Sequence, residues 1–69
     1  MRVHSIIFDN SLYTTDLARK WLKKHKYKPI KHVDKTIHFL RYRIVDPAEF
    51  RSFVTKDISH GIKFVFGLD

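Results

Sequence analysis

The chain has 69 residues, room for one domain and no more, and 1–69 is read as a single unit. It has no cysteine, which excludes a disulfide framework, a thiolate metal site and a cysteine nucleophile. With 14 Lys and Arg against 7 Asp and Glu the formal net charge is +7, and with 43% hydrophobic residues the chain is too apolar to be disordered throughout.

A first strand is expected over residues 3–8, where Val3, Ile6 and Ile7 are β-branched, and Asp9-Asn10-Ser11 ends it with turn chemistry. This opening stretch is too short for a signal peptide, and no apolar run approaches the roughly 20 residues of a membrane span, so a soluble, intracellular protein is expected. Thr14-Thr15-Asp16 then opens a helix: a Thr hydroxyl can accept from a free backbone N–H, and Asp16 suits the positive helix end. Leu17, Ala18, Trp21, Leu22 and His25 recur at three- and four-residue spacing and make its apolar face, with Trp21 as the main plug. The helix should stop near Lys26, because Pro29 biases Lys28 away from helical geometry.

Residues 28–33 are expected to form a short strand, followed by a tight turn at Asp34-Lys35. Residues 36–44 make the clearest strand. Their alternation sends His38, Leu40, Tyr42 and Ile44 to the core side and Ile37, Phe39, Arg41 and Arg43 to the other. Asp46-Pro47-Ala48-Glu49 has the form of a capping box with Pro at the first helical position, good for one short turn. Two more strands follow, 52–57 and 62–66, joined by Ser59-His60-Gly61, where Gly61 is free to take a positive φ. The fold class is therefore α+β: one amphipathic helix packed on a small, mostly antiparallel sheet in β-α-β-β-β-β order.

The segments Ile6-Ile7-Phe8-Asp9, Tyr13-Thr14, Ala18, Trp21-Leu22-Lys23-Lys24-His25, Leu40-Arg41-Tyr42-Arg43, Phe53-Val54-Thr55 and Gly61-Ile62 together resemble a family of small domains encoded by tailed phages and large DNA viruses. Some of those domains are attached to phage head-maturation proteases or other structural proteins. The resemblance spans nearly the whole chain. The chain departs from the pattern at Tyr13, where Trp is usual, and at Val54, where Arg is usual. The resemblance implies a viral origin, with a location in the host cell or virion, and supplies no mechanism.

Catalysis finds no support in the residues. Only Gly61 and Gly67 are glycines, so there is no phosphate-cradling loop, and the serines sit in no nucleophile-elbow context. The spacing of Asp46 and Glu49 is that of a helix cap rather than of paired catalytic carboxylates. His32 and His38 flank the expected hairpin, yet zinc needs three or four ligands and no further one is nearby, so neither metal nor cofactor is expected.

The charge distribution carries the functional expectation. Arg19, Lys20, Lys23, Lys24, Lys26, Lys28, Lys31, Lys35, Arg41 and Arg43 lie within residues 19–43 with a single acid, Asp34. A non-catalytic domain that binds nucleic acid through backbone phosphates, without reading sequence, is expected. Its site would comprise Arg19, Lys20, Lys23, Lys24, Lys26, Lys28 and Lys31, with Phe39, Arg41 and Arg43 on the long strand, where Phe39 can stack on an unpaired base. Arg41 and Arg43 have a structural alternative, ion pairing with Asp57 or Glu49. The competing function is an assembly or adaptor domain that docks an acidic surface of a viral or host protein. An exposed strand edge at 28–33 or 52–57 would serve it, or would make a homodimer. A membrane surface is not expected, since the helix needs its apolar face inside the fold.

Overall fold

Strand β1 (Arg2–Asp9) is the most buried strand and forms the middle of the sheet. The computed structural model describes all 69 residues. After β1 come α1 (Thr15–Lys24), β2 (Asp34–Lys35), β3 (Phe39–Arg43), a 3-10 turn (Pro47–Glu49), β4 (Ser52–Ser59) and β5 (Ile62–Leu68). The five strands form one antiparallel sheet in the order β2-β3-β1-β5-β4, with the single helix against one face. No helix is long and apolar enough to cross a membrane.

Cross-strand pairs Ile6↔Tyr42, Phe8↔Leu40, Ile6↔Phe64 and Phe8↔Ile62 place six apolar side chains on the helix side. Ala18 and Leu22 of α1 close over them to make the core. The helix starts as its sequence dictates: the Thr14 hydroxyl accepts from the Leu17 N–H at 3.2 Å, and Asp16 sits in the first turn. Its apolar face is narrower than the spacing predicts. Leu17 is 49% exposed, because the helix turns Ala18 and Leu22, not Leu17, towards the sheet. Trp21 is half-buried and not the main plug; Phe8, Ile6, Leu22 and Ile62 fill that role. The Trp21 ring instead packs edge-on against Phe8 and Phe64 and stacks with His25, whose ring centroid is 4.1 Å away.

The helix ends in a Schellman arrangement: the Lys26 N–H bonds to the Lys23 carbonyl and the Tyr27 N–H to the Leu22 carbonyl. The position that glycine usually occupies is held by Lys26, at φ 64°. The expected strand at 28–33 does not form. Pro29 has no N–H to offer, and the segment meets β3 through one backbone bond, from Ile30 N–H to the Arg43 carbonyl. The expected turn at Asp34-Lys35 is the short strand β2, and the true turn is Ile37-His38. The Thr36 hydroxyl accepts from the Phe39 N–H there, and Asn10 is tied to it, its backbone N–H bonding to the His38 carbonyl and its side-chain amide to the Ile37 carbonyl. The best strand is thus trimmed to Phe39–Arg43, and its alternation holds over those five residues: Leu40 and Tyr42 are buried and Phe39, Arg41 and Arg43 face the other way, while His38, expected on the core side, is exposed in the turn.

Residues 44–50 cross one end of the opposite face on the way from β3 to β4. The Asp46 carboxylate caps the turn by accepting from the Ala48 N–H, but the reciprocal half of the expected capping box is missing, because Glu49 pairs with Arg2 instead. Phe50 then lies flat over Gly67, where a Cβ would collide with its ring. Gly67 is inside β5 rather than at its end. A β-bulge in β1 turns His4 into this corner, against Phe50 and Phe53; its Nδ1–H donates to the Val45 carbonyl at 2.7 Å, since a carbonyl can only accept. The β4–β5 hairpin turns at His60-Gly61, with Gly61 at φ 80°. At the other end of β1, the Ser11 N–H and hydroxyl bond to the Asp9 carboxylate and hold its pKa below the ordinary value.

Candidate nucleic-acid interface

The basic residues expected to bind are brought together in an uneven way. Arg19 and Lys23 project from α1, Lys26 from its cap, and Lys28 and Lys31 from the segment beyond, and all five line a cavity of about 620 Å³ between α1, residues 27–33 and β3. Leu22, Tyr27, Pro29, Val33 and Tyr42 supply its apolar walls and floor. Lys31 and His32 also line a shallower depression of about 240 Å³ with Asp34, Arg41 and Arg43. Since Arg41 and Arg43 stand on the face away from the helix, a basic band runs from the helix side, round the β3 edge, to the open face.

Phe39 joins this band through Arg41. The two line a furrow of about 260 Å³ on the open face with Ile7, Thr36, Thr55 and Lys63. The Lys63 Nζ lies 5.5 Å from the centre of the Phe39 ring, a cation–π distance. Lys20 and Lys24 are exposed on α1 but line none of these hollows.

The band holds one acid, Asp34, beside Arg41 and Arg43, and no ion pair forms within it. The only ion pairs in the molecule join Arg2 to Glu49, at 3.4 Å, and to Asp69, at 4.0 Å. Arg41 and Arg43 therefore do not pair with Asp57 or Glu49, and no basic residue between 19 and 43 has an acidic partner. The C-terminal end of α1 adds about half a negative charge near the cavity. Five full positive charges around the cavity overwhelm it. No three His, Asp or Glu side chains converge in a metal-holding arrangement.

Tyr42 is the feature that alternation alone conceals. It was expected in the core and is there, 2% exposed, but its hydroxyl finds no hydrogen-bond partner and its ring lines the cavity. Burial pushes its pKa above the ordinary phenol value, while the nearby Arg19 guanidinium pulls it back in part without reaching ordinary hydrogen-bond geometry. Tyr27, which walls the cavity, is fixed by rings on two sides: parallel to Trp21 at 6.3 Å and edge-on to Phe64 at 5.8 Å. Neither tyrosine, nor Lys63, was singled out from the sequence; the signal available was the Lys-Tyr-Lys at 26–28, an aromatic inside a basic run.

Comparison of the chain with protein-family models, with curated proteins and with solved structures finds no match.

Proposed function

We propose that this protein is a non-catalytic nucleic-acid-binding domain that holds the sugar–phosphate backbone without reading sequence. The single observation behind this reading is the unpaired basic band that passes from Arg19 and Lys23 round the β3 edge to Arg41 and Arg43. A band with many bases, one acid and no ion pair keeps most of its field for an outside anion. Arginine forks match phosphate oxygens, and each phosphate neutralised releases condensed counterions. Phe39, half-buried beside Arg41 and Lys63, offers a ring face to an unstacked base, which favours single strands over duplex. The band curves round a body only 31 × 20 × 19 Å, so a flexible single strand follows it more easily than a straight duplex. A viral setting, as the sequence motifs imply, belongs to the same proposal.

A second reading has its own observation. β4 is an eight-residue edge strand with Phe53 and Ile58 exposed, and it offers unpaired backbone groups to a partner protein or a second copy. The band lies towards the other edge, and the two surfaces meet only where Thr55 of β4 lines the Phe39 furrow.

Fluorescence anisotropy of labelled single-stranded and duplex DNA, titrated with the protein at several salt concentrations, separates the readings. Contact with about four phosphates gives a log–log salt slope near −3 on a single strand. Lys28→Glu with Lys31→Glu, both on an exposed segment, is expected to weaken binding at least tenfold, with the far-UV spectrum unchanged. Absence of binding at low salt, where the electrostatic attraction is strongest, removes the nucleic-acid reading and moves attention to the β4 edge.

A further inference from the structure

The cavity beneath residues 27–33 has features that a sequence-blind basic surface does not need. A patch that only attracts a phosphate backbone requires no concave hollow of ligand size, no rigid aromatic wall and no buried donor. This cavity has all three. Its volume of about 620 Å³ falls in the roughly 300–1,000 Å³ range of small-molecule sites. Tyr27 is held in place as one wall by Trp21 and Phe64. Under the cavity the Tyr42 hydroxyl is buried beside the Arg19 guanidinium and has no partner in hydrogen-bond geometry, although a phenylalanine would fill the same space without that penalty. The other orphaned hydroxyl, that of Ser5, belongs to no cavity and so suggests no ligand.

The chemistry of the lining selects among anions. Arg19, Lys23, Lys26, Lys28 and Lys31 surround one small volume. An internal phosphodiester carries one negative charge, whereas a terminal phosphate monoester carries close to two near neutral pH and has three acceptor oxygens. The Tyr42 O–H and the Arg19 fork are donors suited to those oxygens, and the Tyr27 ring and Leu22 side chain suit a flat, apolar base. We propose that this cavity binds one nucleotide through its terminal phosphate, with Tyr42 Oη and Arg19 on the phosphate and Tyr27 against the base. The proposal rests on the nucleic-acid reading above and sharpens it from a backbone surface to a discrete end-binding site. The same chemistry is offered by a free nucleoside monophosphate and by the 5′-phosphorylated end of a single strand.

The test is a titration of ¹⁵N-labelled protein followed by amide chemical shifts. Adenosine 5′-monophosphate is expected to give saturable shifts centred on Tyr27, Lys31 and Tyr42. Adenosine and inorganic phosphate, each with half of the ligand, are expected to bind at least tenfold more weakly. Tyr42→Phe is expected to stay folded and lose about tenfold in affinity for the monophosphate. Lys31→Ala, on the exposed segment, gives an independent readout that does not depend on the core. Lys56→Ala, exposed on β4 at the far edge of the sheet, should leave monophosphate affinity unchanged. A 5′-phosphorylated oligonucleotide that binds tighter than its 5′-hydroxyl twin assigns the strand end as ligand; equal oligonucleotide binding with saturable monophosphate binding assigns the free nucleotide. Absence of saturable shifts overturns the proposal, as does phosphate binding as tightly as the monophosphate with Tyr42→Phe unaffected. If the monophosphate fails while oligonucleotides still bind with steep salt dependence, the nucleotide site falls and the backbone-binding function stands. The reverse pattern removes the backbone function and keeps the site.

Discussion

The two faces of the sheet come from the same strands and meet different fates. On the helix side, Ile6, Phe8, Leu40, Tyr42, Ile62 and Phe64 are sealed by Ala18 and Leu22 into one apolar core. On the other side only residues 44–50 return, and they cover one end, where Phe50 lies over Gly67. The remainder is left as Ile7 at the bottom of a furrow flanked by Phe39, Arg41 and Lys63. With one helix, a chain of this size can cover one face, so side chains on the second must tolerate water or serve a partner. The strand alternation that makes the core therefore also makes the candidate binding face. Arg41 and Arg43 are exposed or half-exposed because Leu40 and Tyr42 are buried.

Truncating one ring on each face separates their contributions to stability most sharply. Phe8 is completely buried and packs against Tyr13, Trp21 and Tyr42. Phe8→Ala is expected to cost about 3–5 kcal/mol. A domain of this length holds roughly 3–10 kcal/mol in total. Urea denaturation followed by circular dichroism should thus find the variant largely or wholly unfolded. Phe39 is half-buried on the open face, and Phe39→Ala is expected to cost about 1 kcal/mol. Equal losses would mean that the open face is as much a core as the helix face.

The roofed end of the open face is the next test. Any side chain at Gly67 meets the Phe50 ring, so Gly67→Ala is expected to destabilise by about 1–3 kcal/mol through overpacking. In a Phe50→Ala background the same change should cost little, since the obstacle is gone. A double-mutant cycle in urea measures that coupling. Additive losses would show that Gly67 is required for its backbone alone.

What could be read without the structure was local. The Thr14 cap, the Asp46 cap, the Gly61 turn and the alternation through residues 39–43 each depend on neighbours within a few positions, and each is where the residues put it. Pairings between distant segments were not legible. Residues 28–33 have strand-like composition but find only one backbone bond to β3, and Asp34-Lys35 pairs with Arg41 and Leu40 because the turn falls three residues later than expected. For the candidate site, the basic residues were legible as a cluster, but their division was not: five around a cavity, two on the opposite face, and Lys20 and Lys24 on neither. Tyr42 shows why. Alternation gives the direction of its ring; whether its hydroxyl has a partner depends on how α1 and the 27–33 segment close over it.

Lys26 gives the smallest and most discriminating test, because stability and binding should move in opposite directions. Its left-handed φ of 64° closes α1, a position glycine occupies without strain, and its side chain lines the cavity. Left-handed geometry costs a residue with a Cβ about 1–2 kcal/mol, and the greater freedom of an unfolded glycine takes back about 0.4–1 kcal/mol. Lys26→Gly is therefore expected to stabilise the fold by about 0.5–1 kcal/mol, a rise of about 3–8 °C in Tm by calorimetry. Anisotropy on single-stranded DNA at low salt should weaken about two- to fivefold, as one of the cations around the cavity is lost. Relief of strain together with lost affinity means that the lysine is held at a cost to the fold for the charge it brings. A stabilised variant that binds as tightly as before means that the cavity's field comes from Arg19, Lys23, Lys28 and Lys31, and that Lys26 is only an awkward helix cap.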